Sequence, residues 1–325
     1  GEERAGPFVA VLDCSGTYGN PNYLGCGGTP AVGERSLRAA ASALRKAPLT
    51  YEQPASRFFF EGVPDVLGRD RAAFVPSGSA EAEAVRRVSV VGCGYSAATV
   101  LLHLQELAAE VPNVRLEIDW VLRRAAGAAP YQSLPDDPLP TRASLVARAN
   151  GLASGAVHTP NLTVRVHRGC VLQKISVKQG VSEDGNLSGC LYLKGSGLDG
   201  SSVDLTADAV VSLVGFRPDL ELARELQVHH CYASEGPMKL AASLLAQRVA
   251  AKGSGAAGDC LKQASTGPEL LVTPEPGFYV LGSKAYGRTS AFLLKHGHEH
   301  VKAAIGMISS ECAIGASACA IAGQA

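Results

Sequence analysis

The stretch Val88-Ser-Val-Val-Gly92-Cys-Gly94-Tyr-Ser96-Ala97 constrains this chain more than any other. A short strand-like run stops at a glycine, and a second glycine follows two positions later. A small residue comes three positions after that, and a helical pattern from Ser96 to Glu110 begins at once. Gly92 permits a tight turn, Gly94 lets the backbone come close to a ligand, and Ala97 lets the helix pack tightly on the strand. The first amides of such a helix have no partner within it, and with the helix dipole they favour an anion. After the turn at Pro112-Asn113, Leu116–Leu122 reads as a second strand. Strand, helix and strand therefore fall at the spacing of a βαβ unit running from Val88 to about Arg124. That context predicts a cradle for the pyrophosphate of a dinucleotide at Gly92, Gly94, Ser96 and Ala97, with Ser96 adding a hydroxyl donor.

The second strand refines the ligand. A carboxylate at its end suits the ribose 2′-hydroxyl of NAD, whereas arginine accommodates the 2′-phosphate of NADP. This strand runs out into Arg123-Arg124. Glu117 and Asp119 lie within it, several ångströms short of the end at ~3.3 Å per residue. Arg123 and Arg124 are the expected 2′-phosphate contacts, and NADPH the expected nucleotide.

Composition excludes several alternatives. Lys+Arg and Asp+Glu are equal at 30 each, with no basic block, so an electrostatic nucleic-acid binder is not expected. Hydrophobic residues at 46% against 18% charged supply ample core and exclude a disordered chain. No apolar run reaches the ~18–20 residues of a membrane span. The nine cysteines contain no C-x-x-C pair and read as reduced thiols of a cytoplasmic protein, not as a disulfide framework or zinc site. His296-x-His298-x-His300 is no metal site on a helix, because His298 points away from the other two. The apolar positions around it, Phe292, Leu293, Leu294, Val301, Ala304, Ile305 and Ile308, predict a core-facing stripe with the histidines mostly on its wetter flanks. No metal is expected.

Around the βαβ unit, Phe8–Leu12 reads as a buried parallel strand, followed by a long irregular stretch to about Ala80. Pro- and Gly-rich residues 125–140 read as loop. Leu162–Val166, Val171–Val177 and Leu187–Leu193 read as strands, the last two joined by a tight turn at Asp184-Gly185. Ala209–Leu213 and Phe278–Leu281 are further strands, residues 253–267 a surface loop, and Thr289–Ser309 a closing helix. One internal echo stands out: Ala10-Val-Leu-Asp-Cys-Ser-Gly16 aligns with Ala209-Val-Val-Ser-Leu-Val-Gly215, each followed by an aromatic and a proline. Two such strand exits bracketing one βαβ unit suggest one domain inserted into another.

On these residues the chain resembles the two-dinucleotide-domain flavoproteins, the group that contains flavin-containing monooxygenases and thioredoxin-reductase-like enzymes. Gly92, Gly94, Ser96 and Ala97 match the group's NADPH pattern Gly-x-Gly-x-Ser-Ala. The echoed strands resemble its two crossover strands, with Gly16 and Gly215 at their exits, and Phe216-Arg-Pro-Asp219 is similar to the segment after the second. Phe278–Gly282, followed by Tyr286-Gly-Arg288, resembles the C-terminal FAD motif. There Gly282-Ser283-Lys284 replaces the usual Gly-Asp, so Ser283 or the helix amides after Arg288 are expected to serve the flavin.

The resemblance implies an α/β fold: a Rossmann-like NADPH-binding domain at residues 84–207, inserted into an incomplete FAD-binding domain made of 1–83 and 208–325. The FAD glycine motif is absent before Val9, and we expect a fragment lacking its first βαβ unit. The monooxygenase pattern Phe-x-Gly-x-x-x-His starts at Phe60-x-Gly62 but meets Val66 at the histidine position. The implied activity is hydride transfer from NADPH to FAD and onward to a small-molecule substrate, with no nucleic-acid or membrane partner. No catalytic acid or base stands out. Two alternatives remain: a non-catalytic NADPH-binding or sensor module, and a dithiol reductase using Cys312 and Cys319.

Overall fold

A computed structural model describes residues 8–45, 58–75, 84–125, 127, 129–135, 137–181, 187–252 and 267–322. The turn expected at Asp184-Gly185 and nearly all of the loop expected at 253–267 lie outside them. The chain divides into two compact units. A central unit runs from Asn22 to Gly215, and a terminal unit joins Gly1–Pro21 with Phe216–Ala325. The central unit is wider than the span 84–207 that the sequence suggested, because residues 22–45 and 58–75 pack with it.

In chain order the elements are β1 (Val11–Asp13), α1 (Glu34–Arg45), β2 (Phe59–Phe60), β3 (Ala84–Val91), α2 (Tyr95–Glu110) and β4 (Val114–Val121). There follow α3 (Pro140–Ser154), β5 (Leu162–His167), β6 (Cys170–Val181), β7 (Leu187–Gly197), β8 (Ser202–Ala207) and β9 (Ala209–Ser212). The chain closes with α4 (Met238–Lys252), β10 (Phe278–Val280) and α5 (Leu294–Ala322).

The centre of the central unit is a parallel sheet in the order β2-β9-β3-β4-β5. Parallel strands buried on both faces read as apolar runs, and alternate residues serve opposite faces. Val88, Val90, Leu116, Ile118, Trp120, Ala209 and Val211 pack on one face with α2 and α3. Val91, Val121 and Val210 pack on the other with Leu37 and Ala41 of α1 and with the antiparallel sheet β6-β7-β8. Helix α2 buries Ala97, Ala98, Val100, Leu101, Leu104 and Leu107, and each buried leucine contributes ~1.5–3 kcal/mol. Residues 22–33, read as irregular from sequence, are tied to α1 by one buried carboxylate. Glu34 accepts from the amides of Leu24 (3.0 Å) and Ala31 (2.9 Å) and from Arg38 (2.8 Å).

The terminal unit is smaller. Strands β1 and β10 pair in parallel, Asp13 opposite Val280. The echoed strands therefore part company: β1 lies beside β10, whereas β9 lies between β2 and β3 in the other unit. The expected burial of Phe8–Leu12 is not found, since Phe8, Val9 and Val11 are exposed. Helix α5 begins at Leu294, five residues later than expected, and only part of the expected stripe, Ala304 and Ile308, faces the core. His296, His300 and Ala304 are buried, whereas Leu294, Val301 and Ile305 are exposed. The buried line follows i, i+4, i+8 spacing, which brings Ala304 against Tyr279 and Leu281 and stacks His300 on Tyr286. Among the described residues no helix is long and apolar enough to cross a membrane, and no three His, Cys, Asp or Glu side chains gather as a metal site.

Candidate nucleotide-binding site

The parallel registers bring four strand exits to one edge of the central sheet. Val91 lies opposite Val121 and Ser212, and Val121 lies opposite His167. Gly92–Gly94 after β3, Arg123-Arg124 after β4, Arg168 after β5 and Leu213–Gly215 after β9 therefore leave the sheet together. From β3 the chain winds to β4 and β5 on one side, then crosses to β9 on the other. The reversal falls between β3 and β9, the crevice where open α/β sheets take their ligands.

Each glycine of the turn has a distinct reason. Gly92 has φ of 129°, and a Cβ there would lie 2.2 Å from the carbonyl oxygen of Leu213, so the exit of β9 leaves room only for hydrogen. Gly94 caps α2 with extended backbone, and a Cβ on it would meet nothing within 4 Å. That open space lies over the first turn of the helix, which has no side-chain cap. Its leading amides are thus left for a ligand. Ser96 is exposed on that turn and Ala97 is fully buried, as the close packing of helix on strand requires. The four residues expected to cradle a pyrophosphate thus meet at one strand–helix turn with open space at Gly94.

At the exit of β4, Arg123 is exposed and makes no bond to another described residue. Arg124 is engaged, donating to the carbonyls of Pro130 (3.1 Å) and Ala129 (3.4 Å). Asp119, the acid nearest this end, is buried and faces β5, 2.7 Å from His167 Nε2 and 3.1 Å from Arg165 Nε. Burial pushes its carboxyl up, but the hydrogen bonds from His167 and Arg165 outweigh this and hold it below the ordinary range. Among the described residues no carboxylate is left at the strand end for a ribose 2′-hydroxyl.

Sequence reading missed the aromatic side chains behind the turn. Trp120, the only tryptophan, is fully buried and donates to the Gly92 carbonyl at 2.8 Å. Tyr131 donates to the Gly94 carbonyl at 3.0 Å. The sole visible signal was a tryptophan two residues before a strand's exit; Tyr131 lies in a proline-rich segment that carried none. Beyond them a recess of about 160 Å³ opens beside Tyr95, Gln132, Ser133 and Asp137.

The terminal unit brings together Gly16, Gly282 and Ser283. Gly16 and Gly282 both hold positive φ, 74° and 68°, at the exits of β1 and β10, and a Cβ on Gly16 would lie 3.5 Å from Ser283 Oγ. Lys284, standing after the expected flavin contact, is buried and turned onto Asp13 at 2.6 Å and Ser15 at 3.0 Å. Burial pushes the Asp13 carboxyl up, and the bonds from Lys284 and Ser15 more than reverse that. Arg288 donates its amide to Ser234, and α5 starts only six residues later, so no helix amides follow it directly. Gly215, φ 86°, belongs to the central unit, where its carbonyl accepts from the Asn22 amide at 3.0 Å. These residues fit a flavin only in part: among the described residues of this unit no strand runs through a Gly-x-Gly turn directly into a helix. A cleft of about 410 Å³ in this unit is lined by residues that include Arg217, Arg224, His230 and Glu235, with Arg217 and Glu235 in an ion pair.

No known sequence family and no curated protein matches the chain. Solved structures do. The bacillithiol disulfide reductase of Bacillus cereus superposes with a TM-score of 0.50 at 15% identity, covering 93% of this chain and 62% of its own. A FAD-dependent pyridine nucleotide-disulphide oxidoreductase from Desulfovibrio vulgaris matches at 13% identity and TM-score 0.34, over 87% of this chain and 47% of its own. The FAD-bound cadaverine monooxygenase of Erwinia amylovora matches at 11% and 0.36, over 68% and 51%. All three are oxidoreductases. The likeness to the first shows the fold, an α/β chain with a Rossmann-like unit. The chain spans about three fifths of that enzyme's length.

Proposed function

We propose that the chain is an NADPH-dependent flavin oxidoreductase whose central unit holds the nucleotide. The observation that carries this is the uncapped start of α2 at a switch-point crevice, with the exposed guanidinium of Arg123, unpaired among the described residues, at the next strand exit. In this reading the amides that open α2 and the Ser96 hydroxyl bind the pyrophosphate, and Gly94 leaves the space it occupies. Arg123 takes the 2′-phosphate; Arg124 holds the loop at Ala129 and Pro130 that frames it. When bound, NADPH supplies a hydride and FAD accepts it. Gly16, Gly282 and Ser283 are the positions this chain offers a flavin, and a small molecule is the expected final acceptor. Exposed free thiols at Cys14, Cys26 and Cys93 suit a reducing compartment, hence a cytoplasmic location.

Calorimetric titration with NADPH and NADH tests the nucleotide. NADPH should bind at least about tenfold tighter, and Arg123→Ala should abolish most of that preference, since one charge-assisted contact is worth ~1.5–3 kcal/mol. Tighter NADH binding sinks the assignment. FAD added to the protein should stay bound through gel filtration as a yellow complex that NADPH bleaches.

The incomplete flavin site favours a second reading, an NADPH-binding module without flavin; a colourless protein that binds NADPH but rejects FAD would establish it. The dithiol alternative rests on Cys312 and Cys319 of α5, whose side chains lie outside the described residues.

A further inference from the structure

We infer that Trp120 and Tyr131 are positioning residues that aim the peptide groups of the glycine turn at the nucleotide's pyrophosphate. The inference rests on the dinucleotide reading above and adds two residues from outside the glycine motif. A trans peptide is planar, with its C=O and N–H pointing in opposite directions. Holding one therefore aims the other. The indole N–H of Trp120 donates to the Gly92 carbonyl at 2.8 Å, which turns the Cys93 amide away from the indole. The phenol of Tyr131 donates to the Gly94 carbonyl at 3.0 Å, and the amides of Ala97 (3.0 Å) and Ala98 (3.3 Å) donate to the same oxygen. Three donors on one carbonyl polarise that peptide, so the Tyr95 amide on its far side becomes a stronger donor toward an anion.

The donors are themselves held. Trp120 and Tyr131 stack with centroids 5.9 Å apart and planes 29° apart, and Tyr131 stacks on Tyr95, which opens α2, at 6.4 Å and 13°. Asn150 of α3 clamps the backbone of Tyr131 from both sides. Its Oδ1 accepts from the Tyr131 amide at 3.1 Å, and its Nδ2 donates to the Tyr131 carbonyl at 2.9 Å. Burial raises the Tyr131 phenol well above its usual range, which keeps the donated proton in place. Packing alone would ask only for rings; two ring donors reaching two carbonyls of one three-residue turn is a more specific arrangement.

Tyr131→Phe separates the two roles, because it keeps the ring and its stacks and deletes only the hydroxyl. The probes are NADP⁺ and 2′-AMP, the latter lacking the pyrophosphate and engaging only the arginine end. We expect NADP⁺ to bind about tenfold more weakly, 2′-AMP affinity measured by NMR to stay the same, and the melting temperature to hold. Trp120→Phe should show the same selective loss. Unchanged NADP⁺ affinity in Tyr131→Phe would overturn the inference, as would equal weakening of both ligands. Wild-type protein that binds neither ligand would instead overturn the nucleotide reading, and this inference with it.

Discussion

The two units solve the same local problem, a parallel strand that ends in glycine, with different chemistry behind it. In the central unit the exit of β3 leaves backbone donors open, and the groups that orient them, Trp120 and Tyr131, are neutral. In the terminal unit the exits of β1 and β10 are tied by a buried ion pair, Asp13 with Lys284, and Ser15 completes it. The first arrangement leaves donors for an anion. The second spends its charges on each other, and Lys284 is 3% exposed. A strand–glycine pattern therefore does not identify a binding site; what the neighbouring side chains do with their hydrogen bonds does.

Breaking the ion pair should have the largest effect. Lys284→Met leaves the Asp13 carboxylate buried with one partner fewer, and loss of one member of a buried pair costs ~3–5 kcal/mol. Urea unfolding should show that loss, and the double variant Asp13→Asn, Lys284→Met should recover most of it. A single variant as stable as the parent would mean that the pair is not what ties the two strand exits.

The glycines of the turn give the next contrast. Gly92→Ala puts a Cβ 2.2 Å from the Leu213 carbonyl at a φ of 129°, so the fold itself should lose roughly 3 kcal/mol. Gly94→Ala places its Cβ in open space at a φ of −83°, so the melting temperature should hold. Nucleotide affinity should nevertheless fall at least about tenfold, because the new methyl occupies the space the pyrophosphate needs. If Gly94→Ala binds NADPH normally, the cradle lies elsewhere. The pair of variants divides the two glycines into one that serves the fold and one that serves the ligand.

How far these features could be read in advance follows the range of the interactions involved. The βαβ unit was legible because its signal is local: Val88–Val91, the glycines and the apolar spacing of α2 are all visible within thirty residues. The switch point was not, because it depends on β9 returning more than a hundred residues later to lie beside β3. Helices α3 and α4 went unread for want of a strong apolar stripe; α3, for example, buries only Val146, Ala149 and Leu152. Helix α1 does carry a one-sided line, Leu37 and Ala41, but it lay within a stretch read as irregular. The orientation of α5 was misjudged because hydropathy ranks Val301 and Ile305 above His296 and His300. A buried imidazole can still stack and hydrogen-bond, and His300 lies against Tyr286 with centroids 5.9 Å apart. Arg123 and Arg124 look identical in sequence; only the path of residues 129–130 shows that Arg124 is engaged, whereas Arg123 has no partner among the described residues.

The smallest effect expected is on acid stability, and it separates the units by the groups they bury. Asp13 and Asp119 both have carboxyls held below the ordinary 3.8 in the folded state. Each contributes stability fully present above 3.8 and lost as pH falls through its lower folded value. His230 and His300, both in the terminal unit, are shifted the other way relative to charge. Burial, with Lys284 beside the first and His296 beside the second, holds them below the ordinary 6.5. The unfolded chain takes up those protons first, so their contribution falls as pH drops below 6.5. The sole tryptophan lies in the central unit, so its fluorescence follows that unit, while far-UV circular dichroism follows the whole chain. In His300→Gln the circular-dichroism midpoint in urea should lose less between pH 6.5 and 5 than in the parent. In Asp119→Asn the tryptophan-detected midpoint should lose less between pH 4 and 3. A parent-like slope in His300→Gln would mean that the imidazole is already hydrated in the folded protein, and that the terminal unit holds its charges less tightly than its buried ion pair implies.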